Sequence, residues 1–237
     1  MAKEREMTIL EHLEELRERL IKSAIALFIA TLFSFFFARR LLEFLIAPMG
    51  SHKPIALRPT EAVVIYFKLA FILGAVLAMP FIVYQLFRFV TPGLKPKEKQ
   101  YLYIFAPIAS LSFASGVAFA SLIILPFSIK YLQGFLSDII KPVYSIGHYI
   151  SFVTSLLLWV GLSFETPLLI FFLAKLGVVN PKMLRRGRRY VYLLFAFIAA
   201  VITPTVDPFN MMLVMVPLLV LYEVGVILAK LAYRKHT

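Results

Sequence analysis

The chain has 237 residues, 61% of them hydrophobic and 16% charged, with a formal net charge of +12 and a mean hydropathy of +0.86. Soluble globular chains carry about 45–50% apolar residues, so the excess excludes an ordinary soluble domain. The absence of cysteine excludes disulfides, thiolate metal sites and cysteine nucleophiles.

The N-terminus is polar and lacks a cleavable signal pattern. Residues 8–22 read as an amphipathic helix: Ile9, Leu13, Leu16 and Leu20 form one apolar stripe, and Glu11, Glu15 and Glu18 lie on another face. Glu15–Arg19 and Glu18–Lys22 are spaced as i,i+4 ion pairs. Apolar blocks follow at residues 20–38, 62–90, 101–127, 149–173, 191–202 and 209–222, the second interrupted by Lys68. A membrane-spanning helix needs about 20 apolar residues, so the last two crossings are expected to be short. Twelve residues span only about 18 Å at 1.5 Å each, against a hydrocarbon core of about 30 Å. They are joined by a tight turn at 203–208.

The fold expected is an all-α polytopic membrane protein of six transmembrane helices in a kinked, curved bundle. It is one domain over 1–237: an amphipathic cytoplasmic segment 1–19, a membrane region 20–230 and a cytoplasmic tail 231–237. With the N-terminus inside and six crossings, 18 of the 25 basic residues fall inside and 6 outside. That bias orients both termini to the cytoplasm. Kinks are expected at Pro80, Pro107, Pro126, Pro167 and Pro217, and the outer loop 47–60, with Pro48, Pro54 and Pro59, should be extended and stiff.

Glu165 lies inside the fourth block, in Leu162-Ser163-Phe164-Glu165-Thr166-Pro167. Counted from the inner end, it is roughly 16 Å deep, near the midplane, where a carboxyl marks a functional site by default. Gly161, one turn earlier, is expected to leave room for an approaching group. Glu98 is the sole acid of the segment 91–99, between Lys97 and Lys99. His12, His52, His148 and His236 lie outside the blocks or at their edges, so paired intramembrane haem ligands are missing. There is no phosphate-binding G-x-x-x-x-G-K-[ST], no H-E-x-x-H and no G-x-S-x-G. No cofactor and no enzymatic activity are expected. From the residues alone, the N-terminal acids read as a solvated face or a cation-binding patch, Glu98 as a local charge offset, and Glu165 as a functional site or as a protonated acid bonded to a backbone carbonyl freed by Pro167.

The run His12-Leu13-Glu14-Glu15-Leu16-Arg17-Glu18-Arg19-Leu20 resembles the H-L-x-E-L-R-x-R-L signature of the TatC family, subunits of the twin-arginine translocase. Ala47-Pro48, Pro80 with Tyr84-Gln85, Phe89 with Pro92-Gly93-Leu94 and Glu98, Ser163 to Pro167, Arg189-Tyr190, Thr203-Pro204 with Asp207, and Glu223-Val224-Gly225 match in the same order over nearly the whole chain. Thr205-Val206-Asp207-Pro208 departs from the compact T-P-P-D more usual in the family. The resemblance implies a receptor for twin-arginine signal peptides of folded cargo proteins in the bacterial inner membrane. It implies single-span partners TatA and TatB, contacts with other copies and with lipid, no nucleic acid, and transport driven by the proton motive force. It carries signal-peptide binding onto Glu15 and Glu98, with Arg17 beside them, an intramembrane polar site with partner contact onto Glu165, and structural or partner contacts onto Pro48, Phe89, Thr203 and Asp207. A proton-coupled solute transporter is the competing reading, and it leaves the N-terminal acids unused.

Overall fold

The computed structural model describes residues 9–50, 54–90, 96–135, 143–175, 177–203 and 207–233, which form nine α-helices. The turn at 203–208 falls largely outside them, as do 1–8 and the tail from 234. No strand occurs among the described residues, only an isolated bridge between Ile55 and Ser145.

Helix α1 runs unbroken from Ile9 to Ser34, so the amphipathic segment and the first apolar block are one helix. After a turn the chain bends by 75° into α2, Ala38–Ile46, and a 3-10 turn, Ala47–Met49. The outer loop is therefore not extended throughout. Its first three residues form the 3-10 turn, which continues α2; α2 itself is helical because Leu41, Leu42 and Leu45 recur at helical spacing and pack inward, leaving Arg39 and Glu43 outside as an i,i+4 pair at 3.1 Å. Three side chains fasten this cap to the bundle: the Tyr149 hydroxyl donates to the Leu45 carbonyl, Gln133 Nε2 to the Met49 carbonyl at 3.1 Å, and the Tyr66 hydroxyl to the Phe35 carbonyl at 3.0 Å. The extended remainder pairs through Ile55, whose N–H donates to the Tyr144 carbonyl and whose carbonyl accepts from the Ile146 N–H, both at 2.9 Å.

Helix α3, Glu61–Val90, packs antiparallel along α1. Helix α4, Pro96–Phe119, continues through a widened π turn, Ala120–Ile124, into α5, Leu125–Gly134. The π turn falls just before Pro126, whose missing N–H breaks the i→i−4 ladder. Pro167 acts similarly: α6, Ile146–Phe164, ends at Glu165, and α7, Thr166–Lys175, begins after it. Pro80, Pro107 and Pro217 instead lie within helices that continue past them, so only two of the five expected kinks interrupt a helix.

The last two helices are longer than their apolar blocks. Helix α8 covers Pro181–Ile202, 22 residues, and α9 covers Pro208–Tyr233, 26 residues. Hydropathy ends a block at charged residues, but backbone hydrogen bonding does not stop there. At about 1.5 Å per residue α9 is about 39 Å long, enough to cross a bilayer. Helix α8 remains short of apolar residues because Lys182, Arg185, Arg186, Arg188 and Arg189 occupy its first half. Both helices start on a side-chain cap followed by proline. Asn180 Oδ1 accepts from the Met183 N–H at 2.7 Å, and Asp207 Oδ2 from the Asn210 N–H at 2.8 Å. Thr203 is buried and closes α8 through a 3.0 Å bond from its hydroxyl to the Ala199 carbonyl. Among the described residues, four helical stretches are long and apolar enough to span a membrane, or five if the bent α1–α2 pair is one span.

Glycines set how closely the helices approach. A Cβ on Gly74 of α3 would stand 2.7 Å from the Thr31 backbone of α1, and one on Gly225 of α9 would stand 3.2 Å from Pro167 Cα of α7. Helices in lipid gain little from hydrophobic burial against each other, so such close approach supplies the dispersion that holds them. Gly74→Val should therefore lower the thermal unfolding midpoint in detergent, at a cost of about 1–3 kcal/mol from overpacking. An unchanged midpoint by circular dichroism would contradict the α1–α3 contact.

Candidate functional site

At the start of α1 the edge that docks carries Glu15, Leu16 and Arg19, while Glu11 and Glu18 of the polar face stay exposed. Leu13 and Leu20 of the apolar stripe are exposed, whereas Glu15 and Arg19 are largely covered by the end of α3. Arg19 makes the connection. One guanidinium nitrogen donates to Glu15 Oε1 at 3.0 Å, and the other to Oε1 of the buried Gln85 at 3.2 Å. The planar fork of arginine suits this task, because two donors fixed in one plane engage two acceptors together. One turn nearer the N-terminus, His12 stacks on Phe89 with ring centroids 4.3 Å apart and planes at 18°.

Both expected ion pairs of this segment form, but they differ in use. Glu18 and Lys22 pair in the open, where such contacts contribute little. Glu15 and Arg19 are part of a tertiary joint between residues 66 positions apart. Glu15 Oε2 is buried without a hydrogen-bond partner among the described residues. Arg17 is exposed on the same segment. Glu98 sits in the first turn of α4, the helix that follows α3, so its backbone lies at the bundle end where Glu15 is held. Thus Glu15, Arg17, Phe89 and the helix start carrying Glu98 share one end of the molecule.

Glu165 lies elsewhere, at the break between α6 and α7. Its Oε1 is buried without a hydrogen-bond partner among the described residues. Ser112 of α4 donates to the neighbouring Phe164 carbonyl at 2.7 Å. The room expected at Gly161 is already taken from within the chain: a Cβ there would meet Phe113 at 2.8 Å and Val117 at 3.1 Å. Gly116 faces it, with Gly161 Cα 2.9 Å from where its own Cβ would be. The small residue serves the α4–α6 crossing, not an incoming group. Pro48 is half-buried in the 3-10 turn, Thr203 ends α8 and Asp207 caps α9, so all three lie at the opposite end of the bundle, and the Thr203–Ala199 and Asp207–Asn210 bonds are local to their own helices.

Two polar groups escaped the sequence reading. Arg188 of α8 pairs with Glu223 of α9, and the Tyr192 hydroxyl donates to the other Glu223 oxygen at 2.7 Å. Next to them, the Tyr222 hydroxyl donates to the Leu184 carbonyl at 2.7 Å. Arg188 stood inside a basic run read only as topology. Its signal was available: Tyr192 lies four residues on, on the same face, and Glu223 is the sole acid in the last helix. The other is Gln85, named in a motif without a role.

Comparison with known proteins gives this arrangement a relationship. The family model for the Sec-independent protein translocase protein (TatC) matches residues 11–217. A Sec-independent protein translocase protein TatC of Aquifex aeolicus is 39% identical over 238 residues, covering 97% of both chains. The corresponding protein of Carboxydothermus hydrogenoformans is 37% identical over 226 residues, covering 94% of this chain and 93% of that one. A crystal structure of the twin arginine translocase receptor TatC superposes with a TM-score of 0.85 at 38% identity, covering 94% of this chain and 99% of the other. The protein is thus a multi-pass membrane component of a protein translocase and not an enzyme, and the chain belongs to the TatC family of Sec-independent protein translocase proteins.

Proposed function

We propose that this chain is the receptor subunit of a twin-arginine translocase. It crosses the bacterial inner membrane six times as a single domain, with both termini in the cytoplasm. It binds twin-arginine signal peptides at the end of the bundle where α1 meets α3. With single-span TatA and TatB, and other copies of itself, it passes folded cargo using the proton motive force. The observation that carries this reading is Glu15, held by Arg19 and Gln85 at the bundle end where α4, the helix whose first turn contains Glu98, begins.

The chemistry suits an arginine pair. Guanidinium groups remain charged at all relevant pH values and favour carboxylates with two donors at once. Glu15 spends one oxygen on Arg19 and keeps the other without a hydrogen bond. That second oxygen is buried in this arrangement, so a signal-peptide arginine engages it as the joint opens, while Arg19 keeps the carboxylate in place through Gln85. The surrounding basic surface repels other cationic segments, which makes two acids in it selective. The transporter reading gives this joint no task.

Glu15→Lys or Glu98→Lys should abolish photo-crosslinking to a twin-arginine signal peptide while the protein still folds, as judged by size-exclusion behaviour and helicity. Unchanged crosslinking in both variants would sink the assignment.

Glu165 fits a partner-docking role. A buried carboxyl oxygen without a donor is costly, and a polar side chain on a single-span helix placed against the α6–α7 break would supply one. Glu165→Ala should weaken crosslinking to a single-span partner and leave signal-peptide crosslinking largely intact. Loss of signal-peptide crosslinking with partner contacts unchanged would reverse the roles given to the two ends.

A further inference from the structure

Lys68 has no task in the function above. It is the eighth residue of α3, within an apolar run, and its side chain is exposed. No carboxylate among the described residues pairs with it. Its ammonium donates to Ser151 Oγ of α6 at 2.7 Å, and that hydroxyl donates onward to the Gly147 carbonyl at 2.7 Å. An ammonium has three donors, so two remain for something outside the chain.

The seam between α3 and α6 explains where the side chain goes. Both helices start at the same end: Glu61, first in α3, lies against Gly147, second in α6, where an added Cβ would stand 3.1 Å from the Glu61 carboxyl carbon. Relative to that contact Lys68 is seven residues deeper, about 10 Å, and Ser151 four residues deeper, about 6 Å. By reaching Ser151 the lysine therefore leans back toward the membrane surface. Side chains on a helix tilt toward its N-terminus, and lysines near helix ends snorkel in that direction. The seam thus presents two charges in a fixed order, the Lys68 ammonium deeper and the Glu61 carboxylate at the mouth. Glu61 is held there by the Leu57 N–H, which donates to its Oε2 at 3.0 Å. Val64, exposed between them on the same face, provides an apolar floor.

We propose that this seam binds the headgroup of phosphatidylethanolamine. That lipid carries its phosphate on the acyl-chain side and its primary ammonium outermost, one ethanolamine link apart. The phosphate meets Lys68 and the ammonium meets Glu61, both through charge-assisted hydrogen bonds, while the acyl chains follow α3 into the bilayer. An anionic lipid such as phosphatidylglycerol gains Lys68 but sets its charge near Glu61 with nothing to offset it. Phosphatidylcholine offers a quaternary nitrogen with no N–H for the carboxylate. The site needs only that α3 and α6 begin at a membrane surface, and it does not depend on how signal peptides are bound.

Native mass spectrometry of the full chain in detergent, with the three lipids matched in acyl chains and added singly, tests this. The wild-type chain should retain phosphatidylethanolamine at least about fivefold better than either of the others, the scale of one charge-assisted contact. Glu61→Gln should remove the advantage over phosphatidylcholine, and Lys68→Met should lower retention of phosphatidylethanolamine by a similar factor. Because Glu61→Gln is nearly isosteric, it serves even if Lys68→Met fails to fold. Equal retention of all three lipids by the wild-type chain would overturn the proposal, as would unchanged preference in the glutamine variant.

Discussion

A carbonyl or a charge inside a bilayer has no water to turn to, and each group left unpaired there costs several kcal/mol. Much of the described structure can be read as the answer to that constraint. Where α6 breaks before Pro167, Ser112 of α4 donates to the Phe164 carbonyl. Where α1 ends, Tyr66 of α3 reaches the Phe35 carbonyl, and where α2 ends, Tyr149 and Gln133 reach the Leu45 and Met49 carbonyls. Midway along α8 and α9, Arg188 and Glu223 neutralise each other, with Tyr192 on the second carboxylate oxygen. These bonds join different helices, so satisfying the backbone also fixes the packing.

The same constraint gives the two glutamates their character. Glu15 is tied to Gln85 through Arg19, and Gln85 lies 66 residues beyond Arg19 in sequence. That converts a fraying helix end into a fixed platform, with His12 on Phe89 as a second point of attachment. Glu165 has no ion pair of this kind among the described residues, and its buried Oε1 lies beside a helix break without a hydrogen-bond partner there. In the function proposed above, the first carboxylate serves a cationic peptide and the second a partner helix, so recognition and docking would fall at different depths of the same bundle.

Long apolar runs were legible in the sequence because nothing but a membrane accommodates them, and the local pairs Glu15–Arg19 and Glu18–Lys22 were legible because i,i+4 spacing settles them. Helix lengths were not, since hydropathy stops at Arg189 and Glu223 while α8 and α9 continue past them. Helix α2 escaped because its nine amphipathic residues form no apolar block. Long-range links stayed hidden for a different reason. Neither the Arg19–Gln85 contact nor the Arg188–Glu223 pair has a local periodicity, and arginines in a basic membrane protein are first counted toward topology. Gly161 was recognised as a close-approach residue, but only the packed structure shows that Phe113 and Val117 use the space.

The central claim is that the Glu15–Arg19 edge of α1 is fixed on the end of α3, so that Glu15 is held in place rather than mobile. The chain contains no cysteine, so a His12→Cys, Phe89→Cys double variant is a clean reporter in native membranes. The account predicts that a short bifunctional maleimide links most chains internally, and that adding Gln85→Ala sharply lowers the yield. Failure to form the link in otherwise folded protein, or a yield indifferent to Gln85, would contradict it.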